Sequence, residues 1–221
     1  MPRKTGVVLR CAVVAACVLA LSAPALFAAA DNDSELWLGF KLKAPVAKNL
    51  SVFAYPQLRY DNNWDRYYYE RYDVGLSVQL SNRWRVEPLY TYLEKRGSSS
   101  WDKSDLFSTD LYFTQAFAGN FEFENRVRWE YDFGSDFQGL RERAKVSMKL
   151  PSHKSVKLFL SEEVIYDLSI EDLKESRASL GVSKKFDSGV SLDLAYQHTS
   201  RNKNGNWTDA HATVITFGYT L

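Results

Sequence analysis

The stretch Phe121-Glu122-Phe123-Glu124-Asn125-Arg126-Val127-Arg128-Trp129-Glu130-Tyr131-Asp132-Phe133 alternates from end to end. Successive side chains of an extended chain point to opposite sides. Phe121, Phe123, Asn125, Val127, Trp129, Tyr131 and Phe133 therefore share one face, and Glu122, Glu124, Arg126, Arg128, Glu130 and Asp132 share the other. A soluble sandwich would bury the first face and wet the second, so alternation alone does not choose a fold. Length does. The run is about twice the usual strand of five or six residues and suits a tilted membrane strand of about 9–11 residues.

Working outward, the same period recurs. Leu36, Leu38, Phe40 and Leu42 alternate with Trp37, Gly39, Lys41 and Lys43, and Val74, Leu76, Val78 and Leu80 alternate with Asp73, Gly75, Ser77 and Gln79. Aromatics fall near segment ends: Tyr60, Trp84, Tyr90, Tyr92, Trp129, Tyr131, Tyr166, Tyr196 and Tyr219. That is where the two interfacial girdles of an outer-membrane barrel stand. Tight turns are expected at Ser81-Asn82, Gly119-Asn120, 151–154 and Asp187-Ser188-Gly189, and longer polar loops at 61–69, 96–105, 134–139, 169–175 and 202–208. Helical periodicity is absent from residues 31–221. The reading is all-β: one antiparallel, up-and-down transmembrane β-barrel over residues 31–221.

Ile215, Phe217, Tyr219 and Leu221 alternate outward up to the last residue. They look like the C-terminal signature that barrel-assembly machinery recognises, with Leu221 where an aromatic residue is usual. The strand count is less regular. Eleven segments are visible: 36–43, 50–60, 71–80, 84–95, 106–117, 121–133, 140–150, 155–168, 176–186, 190–200 and 209–221. A single-chain barrel with both ends on one side of the membrane needs an even number. The expectation is ten strands, with 36–43 outside the barrel, or twelve, with one strand hidden. Glu162 falls on the lipid-facing parity, and a β-bulge near Ser161-Glu162-Glu163 would turn it inside.

The start of the chain reads as a cleaved signal peptide over residues 1–30. Arg3, Lys4 and Arg10 precede an apolar stretch from Cys11, and Ala28-Ala29-Ala30 offers the small residues a signal peptidase needs. An uncleaved anchor is disfavoured by Ser22 and Pro24, and Val14-Ala15-Ala16-Cys17 offers a lipoprotein alternative. Removing residues 1–30 takes Arg3, Lys4 and Arg10 from the 28 basic residues, leaving 25 against 27 acidic ones, a formal charge of about −2. Both cysteines leave too, which excludes disulfides, thiolate metal sites and cysteine nucleophiles. Near-neutral charge gives no reason to expect nucleic acid as a partner.

Leu58-Arg59-Tyr60-Asp61, Glu124-Asn125-Arg126-Val127-Arg128-Trp129-Glu130-Tyr131 and Leu180-Gly181-Val182-Ser183-Lys184-Lys185 resemble an uncharacterised family of small bacterial outer-membrane barrels, a domain of unknown function. The resemblance covers essentially all of 35–221 and implies a barrel without supplying site residues. More distantly, the chain is similar to small oligosaccharide-selective porins, which also line their lumen with arginines.

Candidate site residues follow from the inward parity. Arg59, Arg71, Arg85, Arg126, Arg128, Arg141, Arg143 and Arg177 read either as a path for anionic solutes or as one half of ion pairs that stitch the lumen closed. Pairing 121–133 with 140–150 predicts Asp132 beside Arg141, Glu130 beside Arg143 and Glu124 beside Lys149; each cross-strand pair is worth about 0.2–1 kcal/mol. Trp64, Tyr67, Tyr68 and Tyr69 in the 61–69 loop suit a girdle or contact with a glycan. His198-Thr199-Ser200 resembles the His-x-Ser of outer-membrane lipid A deacylases, in which His is the base for Ser and a downstream acid, here Asp209, orients it. Arg201 stands where that family carries Asn. His153 and His211 read as isolated, and Glu171, Asp172 and Glu175 as a solvated loop able to hold a divalent cation weakly. No cofactor or metal is expected. The functional expectation is a monomeric, non-enzymatic barrel among outer-membrane lipids and lipopolysaccharide, acting as a narrow channel for small or oligosaccharide solutes. A closed structural or interaction barrel and a lipid A-modifying acyl hydrolase are the alternatives.

Overall fold

The computed structural model describes residues 34–221, apart from Ser98, Ala118, Gly119, Asp136 and Asn204. The expected signal peptide and Gly119 of the Gly119-Asn120 turn lie outside the described residues. The strands are β1 (Ser34–Ala47), β2 (Leu50–Asp61), β3 (Arg66–Gln79), β4 (Trp84–Arg96), β5 (Trp101–Ala116), β6 (Phe121–Asp132), β7 (Gln138–Leu150), β8 (His153–Asp167), β9 (Asp172–Lys185), β10 (Val190–Lys203) and β11 (Asn206–Thr220). Each pairs with its sequence neighbour, and β1 pairs with β11 to close a barrel.

The closure corrects the expected count. Among the described residues there are eleven strands, not ten or twelve, and the segment 36–43 is not outside the barrel but part of β1. Hairpins reverse the chain at every step, so an odd number leaves the first and last strands running the same way. Accordingly β1 and β11 pair in parallel, from Ser34↔His211 to Lys43↔Thr220, while every other ladder is antiparallel. Ser34 sits at the end that carries 62–65, where its hydroxyl donates to Asn63 Oδ1 at 3.1 Å. Leu221 sits at the other end, its amide donating to the Lys43 carbonyl at 3.0 Å. The Ser34 end is called upper below, and the Leu221 end lower.

The connections differ from expectation as well. The expected long loops shrink because the strands run on into them: 61–69 becomes 62–65, 96–105 becomes 97–100, and 202–208 becomes 204–205. Tyr67, Tyr68 and Tyr69 are therefore strand residues, and Tyr68 is the extra residue of a bulge between Arg59↔Tyr69 and Tyr60↔Tyr67. A bulge sets two successive side chains on one side, so Tyr68 and Tyr69 both turn into the lumen, where they are buried. The bulge predicted at Ser161-Glu162-Glu163 is absent. Both ladders of β8 run through it in register, and the shift with β9 falls later, between Ile165 and Tyr166. Glu162 stays on the outward face.

Two ladders are interrupted, and each break adjoins a proline. β1–β2 lacks pairs between Gly39↔Gln57 and Leu42↔Ala54, around Pro56; β3–β4 lacks them between Gly75↔Leu89 and Val78↔Val86, around Pro88. Proline has no N–H to give the ladder. Gly75 lets the chains close up there: a Cβ on it would stand 2.6 Å from the Pro88 carbonyl oxygen and 2.8 Å from the Phe53 ring.

The outward face is the apolar one. Phe40 stacks on Phe217 across the parallel seam at 5.6 Å, Trp84 meets Phe113 at 5.0 Å, and Trp129 stacks on Tyr131 at 6.3 Å. The first two stand towards the lower end and the last towards the upper end, forming two aromatic belts. Ile215, Phe217 and Tyr219 face outward beside Leu38, Phe40 and Leu42.

Candidate functional site

The predicted lumen residues Arg59, Arg71, Arg85, Glu124, Arg126, Arg128, Glu130, Asp132, Arg141, Arg143, Lys149 and Arg177 all stand on inward positions, and most are joined in one network. Glu130 is its centre, with no exposure to solvent. It accepts from Arg141 at 2.5 Å and lies 3.6 Å from Arg71 and 3.7 Å from Arg128. Arg128 clasps Asp110 with two nitrogens, Nη2 lying 2.8 Å from Oδ2. Arg71 donates to Asp73 at 2.7 Å and to Thr91 at 3.2 Å. Glu163 takes Arg126 on one oxygen and Arg177, at 2.8 Å, on the other. Arg177 in turn reaches Glu175 at 2.6 Å.

The three hairpin pairs expected for these charges are not the observed ones. Arg141 meets Glu130 rather than Asp132, Arg143 meets Glu124 at 3.0 Å rather than Glu130, and Glu124 lies opposite Lys145 rather than Lys149. The reason is the connection: residues 133–137 lie outside the ladder, so Tyr131 pairs with Gln138 and every later pair moves accordingly. Asp132 instead accepts the Gly134 amide at 2.8 Å and shapes that turn.

Sequence reasoning missed the carboxylates Asp110 and Glu163, and a second cluster nearer the upper mouth. There Arg201 on β10 donates to Glu35 on β1 at 2.7 and 3.1 Å. Tyr68 and Trp37 Nε1 also donate to Glu35, at 2.9 and 2.7 Å. Arg59 lies between the rings of Trp37 and Tyr69, 3.6 and 4.1 Å from their centroids, a packing in which a guanidinium is favoured over an aromatic face. Inward parity marks Glu35, Trp37, Arg59 and Arg201 as lumen residues without reporting which side chains they meet, and Tyr68 enters the lumen only through the bulge. Glu175, read as a loop cation ligand, lies inside the barrel within the arginine network, and among the described residues no group of three His, Cys, Asp or Glu side chains could hold a metal.

These contacts form a layer across the lumen. Glu35, Thr91, Ser108, Glu130, Ile165 and Thr199, drawn from six strands around the wall, are all 4 % exposed or less. Two cavities share Lys145 and Phe159: one of about 520 Å³ lies below the layer, and one of about 320 Å³ rises among the layer's own arginines, Arg71, Arg128 and Arg141, to Trp37 and Arg59. A charged group so far from water is stable only when opposite charges and hydrogen bonds meet it, and the matched pairs supply both.

His198, Ser200 and Asp209 come together on the outer face, in a different geometry from a triad. Ser200 donates to Asp209 Oδ1 at 2.6 Å, and His198 Nε2 lies 3.7 Å from that same oxygen. Asp209 is thus the hub, and no hydrogen bond joins His198 to Ser200. A general base must reach the hydroxyl whose proton it takes. His211, read as isolated, faces His198 across the ladder and shares a 2.6 Å hydrogen bond with the Tyr196 hydroxyl.

A closed barrel with an apolar, aromatic-belted exterior and a charged interior defines the class of outer-membrane β-barrel folds. Within it, the chain belongs to the family described as "Protein of unknown function (DUF2490)", whose model matches residues 34–210. Among solved structures it is similar to a NanC porin, at 11 % identity and a TM-score of 0.50 over 85 % of this chain and 99 % of that one. It is also similar to the translocator domain of the autotransporter NalP from Neisseria meningitidis, at 14 % identity and a TM-score of 0.41 over 76 % and 73 %. No curated protein sequence matches the chain.

Proposed function

We propose that this protein is a bacterial outer-membrane barrel that performs no enzyme chemistry and whose lumen is shut across its upper half. Residues 1–30 act as its cleaved leader. Ile215, Phe217, Tyr219 and Leu221 present it to the barrel-assembly machinery, and it stands as a monomer among outer-membrane lipids and lipopolysaccharide. The observation that carries the closed reading is the layer around Glu130. Its arginines are matched by buried carboxylates, so they hold the wall together instead of offering an unpaired path to passing anions. Insertion in a membrane is supported by the two aromatic belts and by outward Leu, Val and Phe on the strands between them.

A narrow channel for small or oligosaccharide solutes is the second reading, favoured by the cavity that climbs to Arg59 and Arg177. Passage then requires the Glu130 layer to part. Planar-bilayer recording of the purified full-length chain separates the two. The closed barrel gives no sustained steps at moderate voltage. Stable open steps would overturn it in favour of the channel.

A further inference from the structure

Charge is matched in the upper half of the lumen and unmatched in the lower half. Below the Glu130 layer, Arg85, Arg143 and Lys157 are answered by Glu87, Glu124 and Glu122, at 3.0, 3.0 and 2.8 Å. Lys41, Lys145, Lys149 and Lys185 have no ion-pair partner among the described residues. Lys41 and Lys145 stand over the rings of Phe53 and Phe159, 5.5 and 4.0 Å from their centroids, a contact that holds an ammonium without neutralising it. Among the described residues the one further carboxylate on this part of the wall is Asp193, whose Oδ1 makes no hydrogen bond. Donors are left over as well: Nε of Arg126 and Nε of Arg143 are buried without a hydrogen-bond partner.

These groups line the two cavities, which share Lys145 and Phe159. The larger, about 520 Å³, lies at the lower end, where Lys149 and Lys185 are exposed, and its size is ordinary for a small-molecule site. A recess with low-dielectric walls and one sign of charge concentrates counter-ions of the other sign. We propose that this lower well is a binding site for a small solute carrying two or more negative charges, such as a di- or triphosphate or a polycarboxylate, entering from the lower end. Lysines suit that role, because each is a mobile point charge with three donors and needs no fixed fork geometry. The proposal rests on the closed reading of the upper lumen, which makes the well blind.

The test is calorimetric titration of the full-length, detergent-solubilised barrel with pyrophosphate and with citrate at constant ionic strength. Saturable binding of either is expected, weakened at least tenfold in the double variant K145Q/K149Q and unchanged in K103Q, which alters the upper rim. The single variant K185Q, at the exposed lip, gives a smaller loss and serves where the double variant does not fold. Titration heats no different from those of sodium chloride, or binding indifferent to K145Q/K149Q and K185Q, would overturn the site. Bilayer recording keeps the two readings apart. Open steps blocked by pyrophosphate from the lower side overturn the closed lumen and leave the anion site standing, whereas a silent barrel without calorimetric binding overturns the site alone.

Discussion

Arg201 on β10 reaches over β11 and holds Glu35 on β1 through two guanidinium nitrogens, at 2.7 and 3.1 Å. Ala210 and Ala212 of β11, both buried, leave the space it crosses. The parallel seam between the first and last strands is therefore fastened from inside the lumen by a pair that skips the strand between. Replacing Arg201 by Gln strands the carboxylate of Glu35 among Trp37 and Tyr68. Breaking a buried pair in this way costs about 3 kcal/mol. The expected outcome is a lower temperature for conversion from the compact to the unfolded band on semi-native gels. An unchanged temperature would mean that the seam needs no staple.

Glu130 serves three guanidiniums, so E130Q leaves Arg71, Arg128 and Arg141 with less negative charge than they need. The variant is expected to lose about 3–5 kcal/mol of stability, read from denaturant unfolding in lipid vesicles. It is also expected to give flickering conductance that the parent lacks. A variant as silent and as stable as the parent would remove Glu130 from the centre of the layer.

Glu162 faces outward between Ala144 and Ala178, and among the described residues no ion pair holds it. A carboxylate on the lipid face of a barrel costs less than Arg or Lys would, about 1–2 kcal/mol. E162L is accordingly expected to stabilise the barrel in vesicles by about that amount. If the variant were less stable instead, Glu162 would have to be meeting a polar partner on that face.

The Ser200 hydroxyl donates a hydrogen bond to Asp209, and His198 does not reach it. The expectation for S200A in a strain that makes this protein is unchanged lipid A acylation by mass spectrometry. Loss of an acyl-chain cleavage seen with the parent would restore the hydrolase reading.

The outer face was legible in the sequence because it has only one solution. A strand that meets lipid on one side must alternate, and 121–133 and 209–221 show it plainly. The inward identity of the arginines followed from the same parity. Their partners did not, because a register is fixed by turn length, and at 133–137 the unpaired turn moved each expected pair. Glu35, Asp110 and Glu163 were invisible for a related reason. Their importance comes from what lies across the lumen, which no alternation along one strand reports. The even-number rule misled most, since it assumes that both ends of the chain lie on one side.

The parallel seam has a consequence for how the chain can be rearranged. In an even-stranded barrel the two termini are neighbours, and a few residues suffice to join them and open the chain elsewhere. Here the ten paired positions from Ser34↔His211 to Lys43↔Thr220 separate Ser34 from Thr220 by about 30 Å, at roughly 3.3 Å per residue. A circular permutant that joins Leu221 back to Ser34 needs a linker that travels the full height of the wall, through the lumen or across the hydrophobic exterior.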